Sequence, residues 1–229
     1  MKKISIVIPV LNEAEALRRH LPLLQDFRAQ GHELIVVEGG QETVAEEEFA
    51  HWADQWLRSA PGRATQMNTG AVKASGEVLL FLHIDTQLPA EGLTPVAKAF
   101  EQLRHVWGRY DVRLSGDKAV FRVIEFMINL RSRVSGVATG DQTLFMRRSV
   151  FEQIGGFPDV PLMEDVAISK LLRAKAPPVC LREKVTTSSR RWEKHGVTKT
   201  VWLMWKIRLL YFFGVAPAKL RDLYMGKAK

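Results

Sequence analysis

The 229-residue sequence contains a single cysteine, Cys180, and its apolar runs are short. Without a second cysteine an intramolecular disulfide framework is excluded, and we expect a protein of a reducing compartment, the cytoplasm. Cys180 follows two prolines and a valine, which favours a small buried strand residue over a nucleophile. The N-terminal stretch MKKISIVIPVLNEAEA is interrupted by Pro9 and Asn12, and no small-residue cleavage site follows. We therefore predict a first strand there, not a signal peptide.

Glycine-rich nucleotide-binding motifs are also missing from the sequence. Neither a G-x-G-x-x-G pattern nor a P-loop follows the first predicted strand, where PVLNEAEA stands instead. This argues against a Rossmann dehydrogenase and against a P-loop kinase. Linkers rich in Pro, Gly or Ser, low-complexity tracts and internal repeats are absent as well. We predict one domain with a C-terminal extension.

Positive charge is concentrated at the C-terminal end of the chain. Residues 182–229 carry 12 Lys and Arg against 3 Asp and Glu, a net charge of +9, whereas the first 181 residues sum to −1. Such a basic segment fits an anionic partner, either phosphates or acidic lipid, or it forms a solvated face without a partner. Because no recognised binding motif or repeated aromatic-basic pattern is present, we expect no nucleic acid.

Strand and helix patterns alternate regularly up to residue 85. ISIVIPV (4–10) is β-branched and continuously apolar, as in a strand buried on both faces. The pattern continues with a helix over 13–31, a strand over 33–40, a helix over 43–53, a short strand within 54–63, a helix over 64–76 and a strand over 77–85. Further helices are predicted over 93–107, 119–136 and 161–174, with strands within 108–116 and 140–157. These alternations predict an α/β fold with a mixed, mostly parallel sheet flanked by helices.

Polar residues gather where the predicted strands end. Asn12 and Glu13 follow the first strand, Glu38 ends the second, and His83 and Asp85 end the strand over 77–85. Ligands of open α/β sheets bind beyond the carboxyl ends of the strands. The pattern therefore predicts one shared site at that edge.

Asp85 is the candidate metal ligand. Magnesium is often held by one or two carboxylates together with substrate phosphates. The alternative is that Asp85 caps the following turn with help from Thr86. His83 is a second candidate ligand, or an ordinary packed histidine.

Two further stretches combine groups that could carry chemistry. Glu164 and Asp165 open a predicted helix, where they either complement its macrodipole or supply a general base with a raised pKa. Arg190, Arg191 and Trp192 in SSRRW could bind phosphates and stack on a ring, or form a surface loop with an anchoring tryptophan. Arg63, in PGRATQMN, is another candidate phosphate contact.

Six stretches, in this order along the chain, resemble family 2 glycosyltransferases, which have the GT-A fold. They are SIVIPVLNE (5–13), IVVEGG (35–40), GRATQMNTGAVKASGEVLLFLHIDT (62–86), GDQTLFMRRSVFEQIGGF (140–157), PLMEDVAIS (161–169) and SSRRW (188–192). The variants LLFLHIDT and TGDQTLFMRR are similar to a small soluble subgroup associated with arsenosugar biosynthesis. The resemblance covers nearly the whole chain.

The resemblance implies a nucleotide-sugar donor, a Mn²⁺ or Mg²⁺ ion, a small-molecule or lipid-linked acceptor, and inversion at the anomeric carbon. It implies a GT-A domain over 1–192, with a nucleotide-sugar and metal half over 1–90, an acceptor half over 91–192, and a basic apolar helical extension over 193–229. The residues that it assigns to the donor are Pro9, Asn12, Glu13, Glu38, Arg63, Asn68, His83 and Asp85, of which Asp85 matches the metal-binding acid of the family's D-x-D. Those assigned to the acceptor and diphosphate are Asp141, Gln142, Arg190, Arg191 and Trp192, with Asp165 as the base and Glu164 beside it.

The sequence departs from the family pattern at two positions. His83 stands where the D-x-D has its first acid, and Glu38 stands where the family usually has an aspartate that contacts the base. These departures are the best support for an alternative function, in which the chain is a catalytically degenerate GT-A-like module that binds nucleotide or a membrane surface.

The stretch VWLMWKIRLLYFF (201–213) is apolar except for Lys206 and Arg208. Its 13 residues are fewer than the roughly 20 that a spanning helix needs. Two alternatives remain for the helix predicted over 197–213. It packs on the catalytic domain with snorkelling basic ends, or it is an interfacial helix in peripheral contact with anionic lipid on the inner face of the membrane.

Overall fold

A computed structural model describes residues 2–40 and 46–226, which form one eight-stranded sheet with helices on both faces. The strands, in chain order, are β1 (Ile4–Val10), β2 (Glu33–Gly39), β3 (Gln55–Ser59), β4 (Val78–Phe81), β5 (Thr86–Gln87), β6 (Trp107–Leu114), β7 (Leu144–Arg147) and β8 (Val179–Thr187). Their order across the sheet is β3-β2-β1-β4-β7-β6-β8-β5. Pairing is parallel from β3 to β4 and between β6 and β8, and antiparallel at both edges of β7 and between β8 and β5. The predicted mixed, mostly parallel α/β sheet is confirmed.

Helices cover the two faces and extend past the last strand. They are α1 (Ala14–His20), α2 (Gln25–Ala29), α3 (Glu46–Phe49), α4 (Arg63–Lys73), α5 (Thr94–Ala99), α6 (Ala119–Ser135), α7 (Arg148–Gln153), α8 (Glu164–Arg173), α9 (Arg190–His195), α10 (Val197–Phe212) and α11 (Pro217–Tyr224).

The side chains of β1 divide between two cores because successive strand residues point to opposite faces. Ile6 and Ile8 pack in the core that also holds Leu17 of α1. Val7 packs in the other, with Met67 of α4. The continuous apolar run of β1 therefore follows from its burial on both faces.

Several predicted boundaries differ from the structure. The helix over 13–31 is interrupted by a 3-10 turn at Leu21–Leu24, where Pro22 cannot donate a backbone hydrogen bond. Of the helix predicted over 93–107, only α5 is formed: it ends at Ala99, and Trp107 already belongs to β6. The strand over 77–85 ends at Phe81, so its polar residues lie in the following turn. Of the helix over 43–53, residues 43–45 lie outside the described residues.

β8 was not among the predicted elements, although Cys180 was expected in a strand. The strand reads VCLREKVTT. Its three successive charged residues do not show the apolar pattern that would identify a strand in the sequence. Cys180 lies in it and is half-buried, not fully buried as predicted. β8 extends the sheet beyond β6 and delivers the chain to α9.

A buried charge network ties β6 to α6. Asp111 pairs with Arg109, whose side chain is fully buried, and accepts a hydrogen bond from Arg133 Nη2 at 2.7 Å. Asn129 of α6 also bonds both backbone groups of Val112, at 2.9 and 3.0 Å. Breaking a buried pair leaves an uncompensated charge, which costs more than the pair contributes.

We expect Asp111→Ala to lower the free energy of unfolding by about 3 to 5 kcal/mol, because Arg109 would remain buried without its carboxylate. Urea denaturation measures the change. Asp117→Ala is the matched control, because Asp117 is exposed, and it should stay within about 0.5 kcal/mol of the parent protein. Equal stability of the two variants would contradict a role for the network.

Candidate active site

A cavity of about 230 Å³ lies at the carboxyl edge of the sheet, beside the end of β1. It brings together five of the residues predicted for the donor. They are Pro9, Glu13, Arg63, His83 and Asp85.

Gln66 shapes this cavity, although it is not among the predicted site residues. Its side chain is almost fully buried, and its Nε2 donates to the carbonyl oxygens of Val10 at 2.7 Å and Val37 at 2.9 Å. One side chain of α4 thus joins the ends of β1 and β2. A Cβ on Gly39 would lie 2.9 Å from the Gln66 side chain, so glycine is needed there. In the sequence, Gln66 looks like any polar helix residue.

Two carboxylates share the cavity. Burial, reinforced by the negative charge of Asp85, raises the pKa of Glu13, while the cationic groups of Arg190, Arg63 and His83 oppose that rise. Asp85 is half-buried and lines the cavity together with Glu13. Asp85 is therefore able to bind a cation.

His83 contacts Asp141. It is buried, and its Nδ1 lies 3.5 Å from Oδ1 of Asp141. Desolvation alone would raise the pKa of Asp141. The hydrogen bond and charge of His83 outweigh this effect, so the pKa of Asp141 is lowered. The ring also packs on Gly140, where a Cβ would lie 2.6 Å from His83 Cε1. His83 thus positions the turn that carries Asp141.

Asp165 is held by backbone groups at the start of α8. Its Oδ2 accepts from the Gly140 N–H at 2.9 Å, and its Oδ1 accepts from the Val166 N–H at 2.7 Å. Beside it, burial and then the charge of Asp165 raise the pKa of Glu164. The orientation of the Asp165 carboxylate is thereby fixed.

Arg63 connects the cavity to this acidic pair. Burial alone would lower the pKa of Arg63, but the carboxylates of Glu164, Asp141 and Asp165 more than compensate and raise it. A guanidinium in this position suits a phosphate between the cavity and Asp165.

Backbone strain is concentrated around the same site. Among the described residues, three that are not glycine have positive φ: Asn12 at 54°, Thr143 at 49° and Met163 at 70°. They lie two residues after the end of β1, directly after the Gly140–Gln142 turn and directly before Glu164. Such conformations cost about 1 to 3 kcal/mol each and cluster at functional sites. The exposed Asn12 borders the cavity residue Glu13.

Three predicted site residues make internal contacts instead of facing the cavity. Glu38 is buried and accepts from Trp56 Nε1 at 3.3 Å. Asn68 bonds the backbone N–H and C=O of Phe157, both at 2.9 Å. Gln142 is fully buried, and its amide contacts Asn129 and Thr139.

The SSRRW stretch serves more than one purpose. Arg190 is exposed, and its charge acts on Glu13. Arg191 lies over the ring of Tyr224, 3.7 Å from its centroid. Trp192 packs against the small core around Phe121, so it acts as an anchor.

Two cationic residues near Asp165 were not predicted. Burial, and then the charge of Arg208, lower the pKa of Arg131 to about 10. Burial also lowers the pKa of Arg208, while Asp165 and Asp141 oppose the effect. Arg131 Nη1 donates to the Val137 carbonyl at 3.4 Å, but its Nε and Nη2 are buried and lack partners in the described structure. No sequence motif marks these arginines, because they come from α6 and α10.

Comparisons with known proteins agree with this architecture. The sequence profile of the family described as Glycosyl transferase family 2 matches residues 5–155. An undecaprenyl-phosphate 4-deoxy-4-formamido-L-arabinose transferase of Yersinia enterocolitica is 29% identical over 164 residues, which are 64% of this chain and 48% of that protein. An uncharacterised glycosyltransferase of Mycobacterium tuberculosis is 32% identical over 171 residues, 67% of this chain and 62% of that protein. The chain thus spans less than two thirds of either relative.

A solved structure shares the fold. The mannosyltransferase of Pyrobaculum calidifontis, in complex with GDP-Man and Mn²⁺, aligns with a TM-score of 0.67 at 18% identity, over 99% of this chain and 69% of that one. The expected GT-A fold is confirmed. The narrower arsenosugar-associated subgroup stays a prediction.

We expect His83→Ala to raise the pKa of Asp141 toward its ordinary value, because the variant lacks the hydrogen bond and charge that lower it. Carbon-13 NMR titration of the Asp141 carboxyl measures the shift. His51→Ala removes an exposed histidine far along the chain and should leave the titration unchanged. An unaltered Asp141 pKa in His83→Ala would contradict the assigned pairing.

Proposed function

This chain belongs to glycosyl transferase family 2, and we propose that it transfers a sugar from a nucleoside diphosphate sugar to an acceptor, with inversion at the anomeric carbon. The observation that carries the proposal is the fixed Asp165 carboxylate, joined through Arg63 to a cavity that holds Asp85. This arrangement provides a base, a phosphate contact and a candidate cation ligand around one space.

The donor would occupy the cavity at the end of β1. Pro9 and Glu13 would line the nucleotide side, and Arg63 would bind the diphosphate through charge-assisted hydrogen bonds. Because Glu38 is paired with Trp56, it would contribute to the base pocket through the backbone end of β2 and not through a free carboxylate.

The donor set fits a divalent metal that is shared with the substrate. In the described part of the chain no group of three or more His, Cys, Asp or Glu side chains is arranged to hold a metal by itself. Asp85, with Glu13 beside it in the cavity, would hold Mn²⁺ or Mg²⁺ whose remaining ligands come from the diphosphate and water. Bound there, the ion would neutralise charge on the departing diphosphate.

The transfer would be a single displacement. Asp165 would accept the proton of the acceptor hydroxyl while that oxygen bonds to the anomeric carbon. The bond from the anomeric carbon to the diphosphate would break on the opposite face, and the nucleoside diphosphate would leave beside Arg63. Two backbone N–H groups already orient Asp165, so little reorganisation is needed.

The acceptor would approach from the side of α6 and α10. Arg131 and Arg208 place two guanidinium groups near Asp165 there. Positive charge on this side fits an acceptor that carries an anionic group, whether a small molecule or a lipid-linked one. The same side bears Asp141, held by His83.

A panel of nucleotide sugars, each incubated with the protein and Mn²⁺, tests the function directly. Release of the nucleoside diphosphate from one donor is the expected result and would identify that donor. Saturable nucleotide binding without turnover of any donor, with and without candidate acceptors, would instead favour the catalytically degenerate module.

We expect Asp165→Asn to reduce transfer about 100-fold or more, because the amide cannot take the acceptor proton but can still accept the Gly140 N–H. Initial rates measure the loss, and calorimetry should show unchanged donor affinity. Asp26→Asn, an exposed position on α2, is the matched control and should retain the full rate. Normal turnover in Asp165→Asn would refute the base assignment.

Asp85→Ala should abolish the contribution of Mn²⁺ to nucleotide binding, because the protein would lose its metal-binding carboxylate. Isothermal titration of the nucleoside diphosphate, with and without Mn²⁺, measures the difference. In the variant, the affinity with metal should fall to the metal-free value. Unchanged metal-dependent affinity would rule out the metal role of Asp85.

A further inference from the structure

α10 has two different apolar faces. Thr200 and Ile207 are buried against the rest of the protein. Large apolar side chains three or four residues apart form an exposed stripe on its outer face: Trp202 (77% exposed), Trp205 (66%), Leu209 (59%) and Phe212 (79%). The helix therefore packs on the domain and also presents a second apolar face to its surroundings.

α6 carries a second exposed stripe. Its residues Val120, Val123, Met127, Leu130 and Val134 are separated by three or four positions, and all five are exposed, as is Phe126 beside them. The opposite face of α6 holds Phe121 and Ile124 in a small core.

α6 and α10 approach each other in two places. Val197, at the start of α10, packs on the core formed by Phe121 and Ile124 near the start of α6. Eleven residues further along α10, Arg208 acts electrostatically on Arg131, seven residues beyond Ile124 on α6. The two stripes are therefore carried by helices that are close to each other. We call this surface, made of the exposed residues of 120–134 and 202–213, the apolar face.

Exposed basic residues accompany the apolar face. Lys199 and Lys206 are exposed on α10, and Lys118 is exposed at the start of α6. The segment from residue 182 onward has a net charge of +9. Exposed tryptophan and phenylalanine beside lysine and arginine are typical of helices that lie in the headgroup region of a bilayer.

We propose that the apolar face docks on the surface of an anionic lipid bilayer. No helix in the described ranges is long and apolar enough to span a membrane, so docking would place α6 and α10 in the plane of the interface. A second copy of this chain is a less suitable occupant, because it would bring two strongly basic segments together. Eleven exposed large apolar side chains within these two short stretches are not the singly scattered apolar residues of an ordinary protein surface.

Docking would also orient the candidate active site. Tyr211, over which Lys170 Nζ lies at 4.7 Å, and Arg208 connect α10 to α8, the helix that begins with Glu164 and Asp165. The acceptor side would then lie next to the membrane. The docking proposal itself holds whether or not the chain transfers sugar, because it depends only on the surface.

Flotation with vesicles of phosphatidylcholine and phosphatidylglycerol, in roughly equal amounts, tests the proposal. The parent protein should float with these vesicles and much less with phosphatidylcholine alone. The double variants Trp205→Glu/Phe212→Glu on α10 and Val123→Glu/Phe126→Glu on α6 should each remain in the bottom fraction. Val72→Glu, at an exposed apolar position on α4, is the matched control and should float like the parent.

Neutralising Lys199 or Lys206 to Gln should weaken the vesicle partition coefficient about fivefold each, and raised salt should have a similar effect. Circular dichroism melting checks that all variants fold. Sedimentation velocity without lipid provides the opposing outcome. A parent dimer that the glutamate variants dissociate, together with no flotation, would overturn the proposal and assign the face to self-association.

Discussion

The contact between Gly140, His83 and Asp165 is the constraint on which the site depends. Because Gly140 has no Cβ, the imidazole of His83 lies directly against it, and its N–H remains available to the Asp165 carboxylate. One residue thus joins the turn after β4, the turn before β7 and the start of α8. These segments are far apart in the chain, and any side chain at position 140 would separate them. Thr143 and Met163, next to these segments, have positive φ, and this backbone strain is the local free-energy cost of bringing the segments together.

Charge balance explains how so many ionisable groups share one edge of the sheet. Burial raises the pKa of Glu13 and Glu164, whereas His83 lowers that of Asp141. The pKa values of the carboxylates at this edge therefore differ because their neighbours differ, and not because some are Asp and others Glu. Several of these carboxylates raise the pKa of Arg63 although its burial opposes that rise. An anionic substrate would enter a site in which the cations are already placed and partly unpaired.

The sequence predicted the parts of this arrangement that depend on local pattern. The continuous apolar run of β1 indicates a strand buried on both faces, and the period of α6 indicates a helix. Polar residues that follow parallel strands meet at one edge of the sheet. Gln66, Arg131 and Arg208 could not be predicted, because their roles come from contacts between distant segments. Conversely, motif matches at Asn68 and Gln142 said nothing of the internal hydrogen bonds that now occupy both side chains.

The lack of a clear amphipathic period in α10 has a physical explanation in the two interfaces of the helix. A helix with one apolar face shows that face in its sequence, whereas one that is apolar on two sides looks uniformly apolar. Thr200 and Ile207 face the domain, while Trp202 and Phe212 face away from it. Arg208 belongs to the inner side, next to the carboxylates of the site. α10 therefore supplies positive charge to the acceptor side and an apolar surface on its outer side. Attachment at that outer surface and access to Asp165 consequently depend on the same helix.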